Sequence, residues 1–297
     1  MEDLTWQLSL TGLLIGTLVG LTGMGGGSLL TPVLVLLFGY SPAVAVGTDI
    51  AHGAIFKTVG AVRHRRLGNV QARLSGWMFL ASAPMSLLGV WVATLLKEHG
   101  TDAKSTSARI LGAALLVGAI GLLVKNYVRV RPPLEKAFIL TNRDRIAGIL
   151  IGFFGGFIVG LTSVGSGVFF ALTMLFVFPL RANKIVGTDI FHAAALLYVA
   201  GTGHFVAGNV DLATVGWLLV GSIPGVLIGS QLTGAVPERA LRGILAATLG
   251  VSGVKLIDPP GANEIVVGFL ALGAVALVVW SLRSRLARIR VYKAAPD

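Results

Sequence analysis

The chain has 297 residues, of which 55% are hydrophobic and only 12% are charged. A soluble domain typically carries about 25% charged residues, so too few polar side chains remain here to cover a globule in water. Apolar stretches of the length that a helix needs to cross a bilayer recur along the chain, and they predict an all-α integral membrane protein.

The net charge of +11 does not indicate a nucleic-acid-binding protein, because the basic residues cluster at the ends of the apolar stretches. That distribution is typical of cytoplasmic loops between membrane helices. The chain contains no cysteine, which excludes disulfides and cysteine chemistry. Glu2 and Asp3 stand where a signal peptide would have its basic region, so no removable signal peptide is expected.

The first predicted element, 6–38, is interrupted by a glycine-rich run. We expect it to form a re-entrant helical hairpin with its tip near mid-membrane, since irregular backbone is tolerated there only inside the protein or against a wet cavity. Three further membrane segments are predicted at 43–62, 74–96 and 108–125. The basic region 126–145 that follows them is predicted to be a cytoplasmic linker.

The second half of the chain is predicted to repeat this course. Residues 19–96 align with residues 159–236 at a constant offset of 140 and without a gap. Half-protein repeats in an apolar chain are typical of transporters. The predicted units are a first membrane repeat (1–125), the cytoplasmic linker (126–145), a second membrane repeat (146–258), and one extra transmembrane helix with a basic C-terminal tail (259–297).

The charges of equivalent loops indicate that the two half-repeats are inverted. The loop at 63–73 carries four arginines, whereas its copy at 203–213 carries none. Because basic loops face the cytoplasm, the halves are expected to cross the membrane in opposite directions. The N-terminus would then lie outside and the C-terminus in the cytoplasm. The alternative is a pair of parallel repeats whose loop charges differ by accident.

The duplicated glycine turns are candidate anion-binding sites. Amides at the start of a helical arm, together with hydroxyl donors, can trap an anion. The alternative is that these glycines serve close helix packing alone. The predicted substrate-binding residues of the two turns are Thr22, Gly25, Gly26, Gly27, Ser28, Thr162, Ser163, Gly165, Ser166 and Gly167.

A second duplicated motif, Gly-Thr-Asp, is interpreted as a helix stop followed by a restart, which gives each half a broken helix. Gly47, Thr48, Gly187 and Thr188 are therefore added to the predicted substrate site. Charges inside membrane segments are costly and usually functional. Each aspartate precedes a histidine by three residues, which places both on one helical face and suits proton coupling. The predicted proton-coupling residues are Asp49, His52, Asp189 and His192.

The alternative interpretation of these Asp and His pairs is structural: each aspartate caps a buried helix, and each histidine makes a structural hydrogen bond. Lys57 also lies in a membrane segment, but its copy is Leu197. It is expected near an interface, where a lysine can extend its ammonium group to water.

The doubled Val-Gly-Leu-Thr…Gly-x-Gly turn, followed by Ala-Val-Gly-Thr and Gly-Asn-Val, resembles the TauE/SafE (TSUP) family of sulfite and organosulfonate transporters. The resemblance covers about residues 8–282. It implies a multi-pass carrier in a bacterial or archaeal inner (plasma) membrane, with the glycine turns and the Gly-Thr breaks as its substrate region. Members of the family often have serine where this chain has Asp49 and Asp189, so these carboxylates require protonation, a cation partner or a capping role.

The first hypothesis is a secondary transporter of small sulfur-containing anions that works by alternating access and is coupled to protons. The alternative is a cation or divalent-metal transporter that uses the Asp and His pairs as ligands. An intramembrane enzyme is disfavoured, because no nucleophile–base constellation or ATP motif is present. The expected partners are a small organic or inorganic sulfur oxyanion and the lipid bilayer, without nucleic acid, cofactor or resident metal. The oligomeric state stays open, a homodimer being one option.

Overall fold

A computed structural model describes residues 2–22, 27–98, 101–124, 138–165, 167, 169–231, 238–264 and 267–268. Within these ranges the chain is built from α-helices and has no β-strand, which confirms the all-α class. The principal helices are α1 (Glu2–Thr22), α2 (Gly27–Leu36), α3 (Pro42–Arg66), α4 (Ala72–Glu98), α5 (Thr101–Val124), α6 (Asn142–Thr162), α7 (Phe169–Val177), α8 (Ala182–Val206), α9 (Leu212–Gln231) and α10 (Glu238–Ile257).

Five of the described helices, α4, α5, α6, α8 and α9, are long and apolar enough to cross a membrane. Large apolar side chains also cover much of the outer surface, as expected for a protein whose solvent is lipid. The most exposed of them include Ile139, Val206, Leu37 and Val59. The chain is therefore a multi-pass membrane protein by the length, composition and surface of its helices.

The helix bounds repeat along the chain. α6 and α8 begin and end 140 residues after α1 and α3, respectively. The equivalent helices α3 and α8 pack in opposite directions, because Gly47 lies against His204, Gly53 against Leu197 and Gly60 against Ile190. Antiparallel packing of equivalent membrane helices is what inverted repeats require. The direction in which each half crosses a bilayer stays a prediction.

The spaced glycines allow helices of different halves to approach closely. A Cβ atom at Gly156 would lie 2.5 Å from Ser82 Cα, and one at Gly16 would lie 2.8 Å from Ser222 Cα. The first contact joins α6 to α4, and the second joins α1 to α9. Small residues four apart are the usual means by which helices associate in lipid.

The predicted helix breaks at Gly47–Thr48 and Gly187–Thr188 are wrong, since α3 and α8 continue through both motifs. α3 begins earlier, where Ser41 is extended and Pro42 occupies the first helical turn. Gly47 is required for packing rather than for a break, because a Cβ atom there would collide with the backbone carbonyl of Asn209. The broken helices of the predicted fold are therefore replaced by two continuous helices with buried polar residues.

The hairpin of the second half is formed by α6 and α7. α7 spans only nine residues, or about 14 Å, so it cannot cross a bilayer. Phe169 lies against Gly155, which shows that α7 turns back along α6. The first arm, α6, begins in the polar segment before the apolar stretch, because a capping box between Thr141 and Asp144 starts the helix there.

Several predicted features fall outside the described residues. The turn residues Gly25, Gly26 and Ser166 are among them, as are the side chains of Thr22 and Ser28. Gly27 is described only as the first residue of α2. The extra helix predicted at about 264–282 lies outside as well, apart from 264 and 267–268.

Candidate functional site

Within the described residues, α3 and α8 bury a cluster of five titratable side chains where they pack together. Asp49, His52 and Lys57 come from α3, and Asp189 and His192 come from α8. All five are at most 5% exposed. Ionisable groups at this depth are costly in a membrane protein and mark functional positions.

Lys57 is the centre of this cluster. Its ammonium group interacts electrostatically with Asp189 and with Asp49, and it also lies within range of His52 and His192. The expectation that Lys57 lies at an interface is wrong, because its side chain is buried beside two carboxylates. A buried charge is tolerated when it is paired, and Lys57 is thus the cation partner of both aspartates.

The two histidines make equivalent contacts in the two halves. His52 Nε2 lies 2.8 Å from Ser222 Oγ, and His192 Nε2 lies 2.9 Å from Ser82 Oγ. The first contact joins α3 to α9, and the second joins α8 to α4. We call the packed helices α3 and α8 the central helix pair. Each histidine therefore connects this pair to a flanking helix of the opposite half.

Asp49 is held by α2 rather than by its neighbouring histidine. Thr31 Oγ1 donates to Asp49 Oδ2 at 2.5 Å. The copy of Thr31 in the second half is Ala171, so Asp189 has no equivalent threonine. The two carboxylates are therefore duplicated in sequence but differ in their surroundings.

Thr48 and Thr188 hold the ends of the central helices against the opposite half. Thr48 Oγ1 accepts from the backbone N–H of Asp211 at 3.1 Å, and Thr188 Oγ1 accepts from that of Gln71 at 2.9 Å. Both amides lie just before a helix, α9 or α4. A hydroxyl that accepts one hydrogen bond can still donate its own proton, so these contacts leave each threonine one donor.

The double substitution Thr48→Val and Thr188→Val is expected to lower the free energy of unfolding. Each valine leaves a backbone N–H without its acceptor, which costs about 1–3 kcal/mol per group. Thermal unfolding in detergent measures this change. Thr202→Val is the matched control, since Thr202 Oγ1 is exposed and donates only within its own helix. Equal unfolding temperatures for the double variant and the control would contradict an anchoring role.

The turn between α6 and α7 brings one hydroxyl to the cluster. Ser163 is buried and takes a left-handed conformation with φ of 59°. Its Oγ makes no hydrogen bond of standard geometry, but it lies beside the Asp49 carboxylate and acts on its charge. His192 Nδ1 is buried without a partner. Left-handed backbone in a non-glycine residue is costly and recurs at binding sites.

The remaining turn residues are engaged within the turn itself. Thr162 Oγ1 donates to the carbonyl of Ile158 at 2.7 Å and accepts from the backbone N–H of Val164 at 3.2 Å. The amides of Gly165 and Gly167 donate to the carbonyls of Ser163 and Gly165. In this conformation the described turn therefore offers the Ser163 hydroxyl, rather than a row of open amides, to a ligand.

A cavity of about 10 Å³ adjoins the cluster. That volume is close to the minimum that holds one water molecule. Both polar and apolar side chains line it. The polar ones are Asp49, His52 and Lys57 of the cluster and Ser222, the partner of His52. The lining residues are Ile15, Gly16, Val19, Asp49, His52, Gly53, Phe56, Lys57 and Ser222.

Two lysines close the ends of the central helix pair. Lys97 Nζ donates to Asn209 Oδ1 at 2.8 Å and to the carbonyl of Gly208 at 3.2 Å. Lys184 Nζ donates to the carbonyl of Gly68 in the equivalent turn. Gly68 and Gly208 have φ of 68° and 67°, a region that favours glycine. We call these contacts the two end latches, and both are closed in this structure.

Sequence reasoning did not place Lys57 in this site, and it missed Thr31, Ser82 and Ser222. Lys57 and Thr31 have apolar copies, Leu197 and Ala171, so the repeat gives no signal for them. Ser82 and Ser222 are a duplicated pair, which was a usable signal. Within the described residues, no group of three or more His, Cys, Asp and Glu side chains is arranged to hold a metal ion.

The chain is similar to known membrane transporter proteins. The family described as "Sulfite exporter TauE/SafE" matches residues 8–256. The "Probable membrane transporter protein YjnA" of Bacillus subtilis is 41% identical over 84% of this chain and 99% of its own length. "Probable membrane transporter protein MJ0441" of Methanocaldococcus jannaschii is 22% identical over 84% of this chain and 94% of its own length. No solved structure matches the chain. With its family match spanning most of its length, the chain belongs to the TauE/SafE family of membrane transporters.

Proposed function

We propose that this protein is a proton-coupled secondary transporter of small sulfur-containing anions. The substrates would be sulfite or a sulfonate such as sulfoacetate or a taurine-related compound. The observation that carries the proposal is Lys57, a buried ammonium group at the interface of the two halves. The family description and the transporter names of the relatives support the class of activity, and the buried cation supports an anionic substrate.

The site contains suitable donors for an oxyanion. The Lys57 ammonium would neutralise the charge of the substrate, and the Ser163 hydroxyl would donate a hydrogen bond to one oxygen. His192 Nδ1 could donate to another when it carries the proton of the imidazole. His192 Nδ1 is buried without a partner, so a bound oxyanion would satisfy it, whereas the Ser163 hydroxyl would turn to the anion from the neighbouring Asp49 carboxyl group.

The charges of the cluster supply a reason for proton coupling. With both aspartates ionised and both histidines neutral, the five side chains carry a net charge of −1, which disfavours an anion. Protonation of both carboxyl groups changes that net charge to +1 and releases Lys57 to pair with the substrate. Anion binding and proton binding therefore favour one another, as linkage requires.

Alternating access would proceed by opening one end latch at a time. Each latch joins a turn after a central helix to a lysine of another element. Since the cavity beside the cluster is about 10 Å³, a sulfonate requires the site to widen. Movement of one half against the other around a fixed central site would provide this space.

A cation transporter is the second candidate, because two carboxylates outnumber the single lysine. In that case Asp49 and Asp189 would hold the cation, and Lys57 would be displaced when it binds. Uptake into proteoliposomes separates the two candidates. Radiolabelled sulfoacetate, taurine and sulfite should be taken up under an inward proton gradient, whereas Na⁺ and Zn²⁺ should not. Uptake of a cation without uptake of any of the anions would overturn the proposal. No product should appear in either case, since the activity is transport rather than catalysis.

Asp49→Asn together with Asp189→Asn should remove the pH dependence of anion binding. In the unaltered protein, binding should weaken as pH rises, because loss of protons from the carboxyl groups restores the net charge of −1. The double variant lacks these titrating carboxyl groups, so its binding should not weaken through the pH range in which they lose their protons. Calorimetric titration with sulfite and sulfoacetate from pH 5 to pH 9 measures this difference. Glu264→Gln is the control, since Glu264 is exposed and lies outside the cluster. If the double variant kept the pH profile of the unaltered protein, the aspartates would not be the coupling groups.

A further inference from the structure

A wide groove lies beside the first turns of α4 and α6. Its volume is about 790 Å³, within the range of about 300–1,000 Å³ of ligand sites. We propose that this groove binds an anionic phospholipid, with the headgroup phosphate between Arg73 and Arg145 and an acyl chain along the apolar wall. The lining residues are Gln71, Ala72, Arg73, Gly76, Trp77, Leu80, Phe138, Ile139, Leu140 and Arg145.

The charged residues that line the groove are basic. It carries the two arginines, and none of the residues that line it is acidic. Asp144, the acidic neighbour of Arg145, is occupied by the capping box, where its carboxylate accepts from the backbone N–H and the hydroxyl of Thr141. Guanidinium groups bind phosphate oxygens with two parallel hydrogen bonds, so a pair of arginines suits a phosphodiester.

The rest of the groove is apolar and aromatic. Leu80 and Ile139 are 64% and 81% exposed, so the wall is open to lipid. The guanidinium of Arg145 lies 5.5 Å from the centre of the Trp77 ring, which fixes the cation at the boundary of polar and apolar surface. Tryptophan prefers the level of the lipid headgroups. A ligand that fills this groove must therefore be amphipathic, unlike the small polar substrate of the central site.

The two halves differ at this place. The positions equivalent to Arg73 and Arg145 in the other half are Ala213 and Thr5, neither of which is charged. A basic groove at one end of the molecule matches the enrichment of anionic lipids in the cytoplasmic leaflet.

Native mass spectrometry of the purified protein with added phosphatidylglycerol or phosphatidylcholine tests the proposal. The unaltered protein should retain phosphatidylglycerol at least about 10-fold more than phosphatidylcholine. Arg73→Gln with Arg145→Gln should abolish that preference, whereas Arg109→Gln, a change of an exposed arginine on α5, should preserve it. Arg73→Gln alone should weaken the preference. This single variant replaces the double variant if that one is unstable, because Arg73 is exposed.

Three outcomes would overturn the lipid assignment. The first is an equal retention of the two lipids by the unaltered protein. The second is an unchanged preference in the double variant. The third is binding of soluble glycerol phosphate as tight as that of phosphatidylglycerol, which would identify a site for a free anion. None of these results depends on transport of sulfur anions.

Discussion

Replacement of Lys57 by leucine should reduce anion uptake at least about 100-fold, because the substrate loses its only buried cationic partner in the described cluster. Leucine is the residue at the equivalent position 197, so its size and burial are already accommodated on the opposite helix. Uptake of radiolabelled sulfite and sulfoacetate by proteoliposomes measures the effect. Lys255→Leu, which removes an exposed lysine of α10, should leave uptake unchanged.

Loss of Lys57 also leaves two buried carboxylates without their cation. Removal of one partner of a buried ion pair costs about 3–5 kcal/mol, so the single variant should be less stable. The triple variant Lys57→Leu, Asp49→Asn and Asp189→Asn removes all three charges and should recover the unfolding temperature without recovering uptake. Recovery of uptake in the triple variant would show that Lys57 serves stability alone.

Gly156→Ala should destabilise the protein although alanine is the better helix former. The added Cβ atom would lie 2.5 Å from Ser82 Cα and 2.8 Å from Ser82 C, so α6 and α4 must separate. We expect a loss of about 1–3 kcal/mol, and a larger loss when Gly152 and Gly160 are changed in the same way. Thermal unfolding of the detergent-solubilised protein measures it.

Gly76 and Gly216 provide controls, because alanine at these positions should raise the stability rather than lower it. Both lie inside helices, and a Cβ atom at either position would meet no atom within 4 Å. Alanine at these sites should stabilise the protein by up to about 1 kcal/mol, the difference in helix propensity. If Gly156→Ala were as stable as Gly216→Ala, close packing of α6 on α4 would be disproved. Because Ser82 also contacts His192, Gly156→Ala should additionally disturb the central cluster.

The helical architecture could be predicted from the sequence because lipid restricts the options. Apolar length predicts where helices lie, and the glycine rows predict where two helices meet. The offset of 140 also placed Asp49, His52, Asp189 and His192 at equivalent positions, and the structure gathers these residues at one interface. Their role in proton coupling stays a prediction.

The continuity of α3 and α8 could not be predicted, because glycine has two uses that look alike in a sequence. It can end a helix, or it can let another chain segment approach the helix backbone. At Gly187 the second use applies, since a Cβ atom would lie 2.5 Å from the carbonyl oxygen of Asn69. That segment is 118 residues away along the chain, and only the tertiary fold brings it there.

Lys57 was misplaced for a different reason. An isolated lysine in an apolar segment is usually stabilised by reaching water, and the nearest acidic residue on its own helix, Asp49, is eight residues away. Asp189, one of its two carboxylate partners, is on the other half of the chain. Long-range charge pairing becomes visible only when α3 and α8 are packed together.

The single lysine has a consequence for the working cycle of such a carrier. If the halves were identical, exchanging their conformations would turn the outward-facing state into an inward-facing state of equal energy. Lys57 on α3 has Leu197 as its counterpart on α8, so this degeneracy is lifted. The unloaded carrier should therefore have a preferred resting orientation even without a gradient, chosen by which half holds the ammonium group.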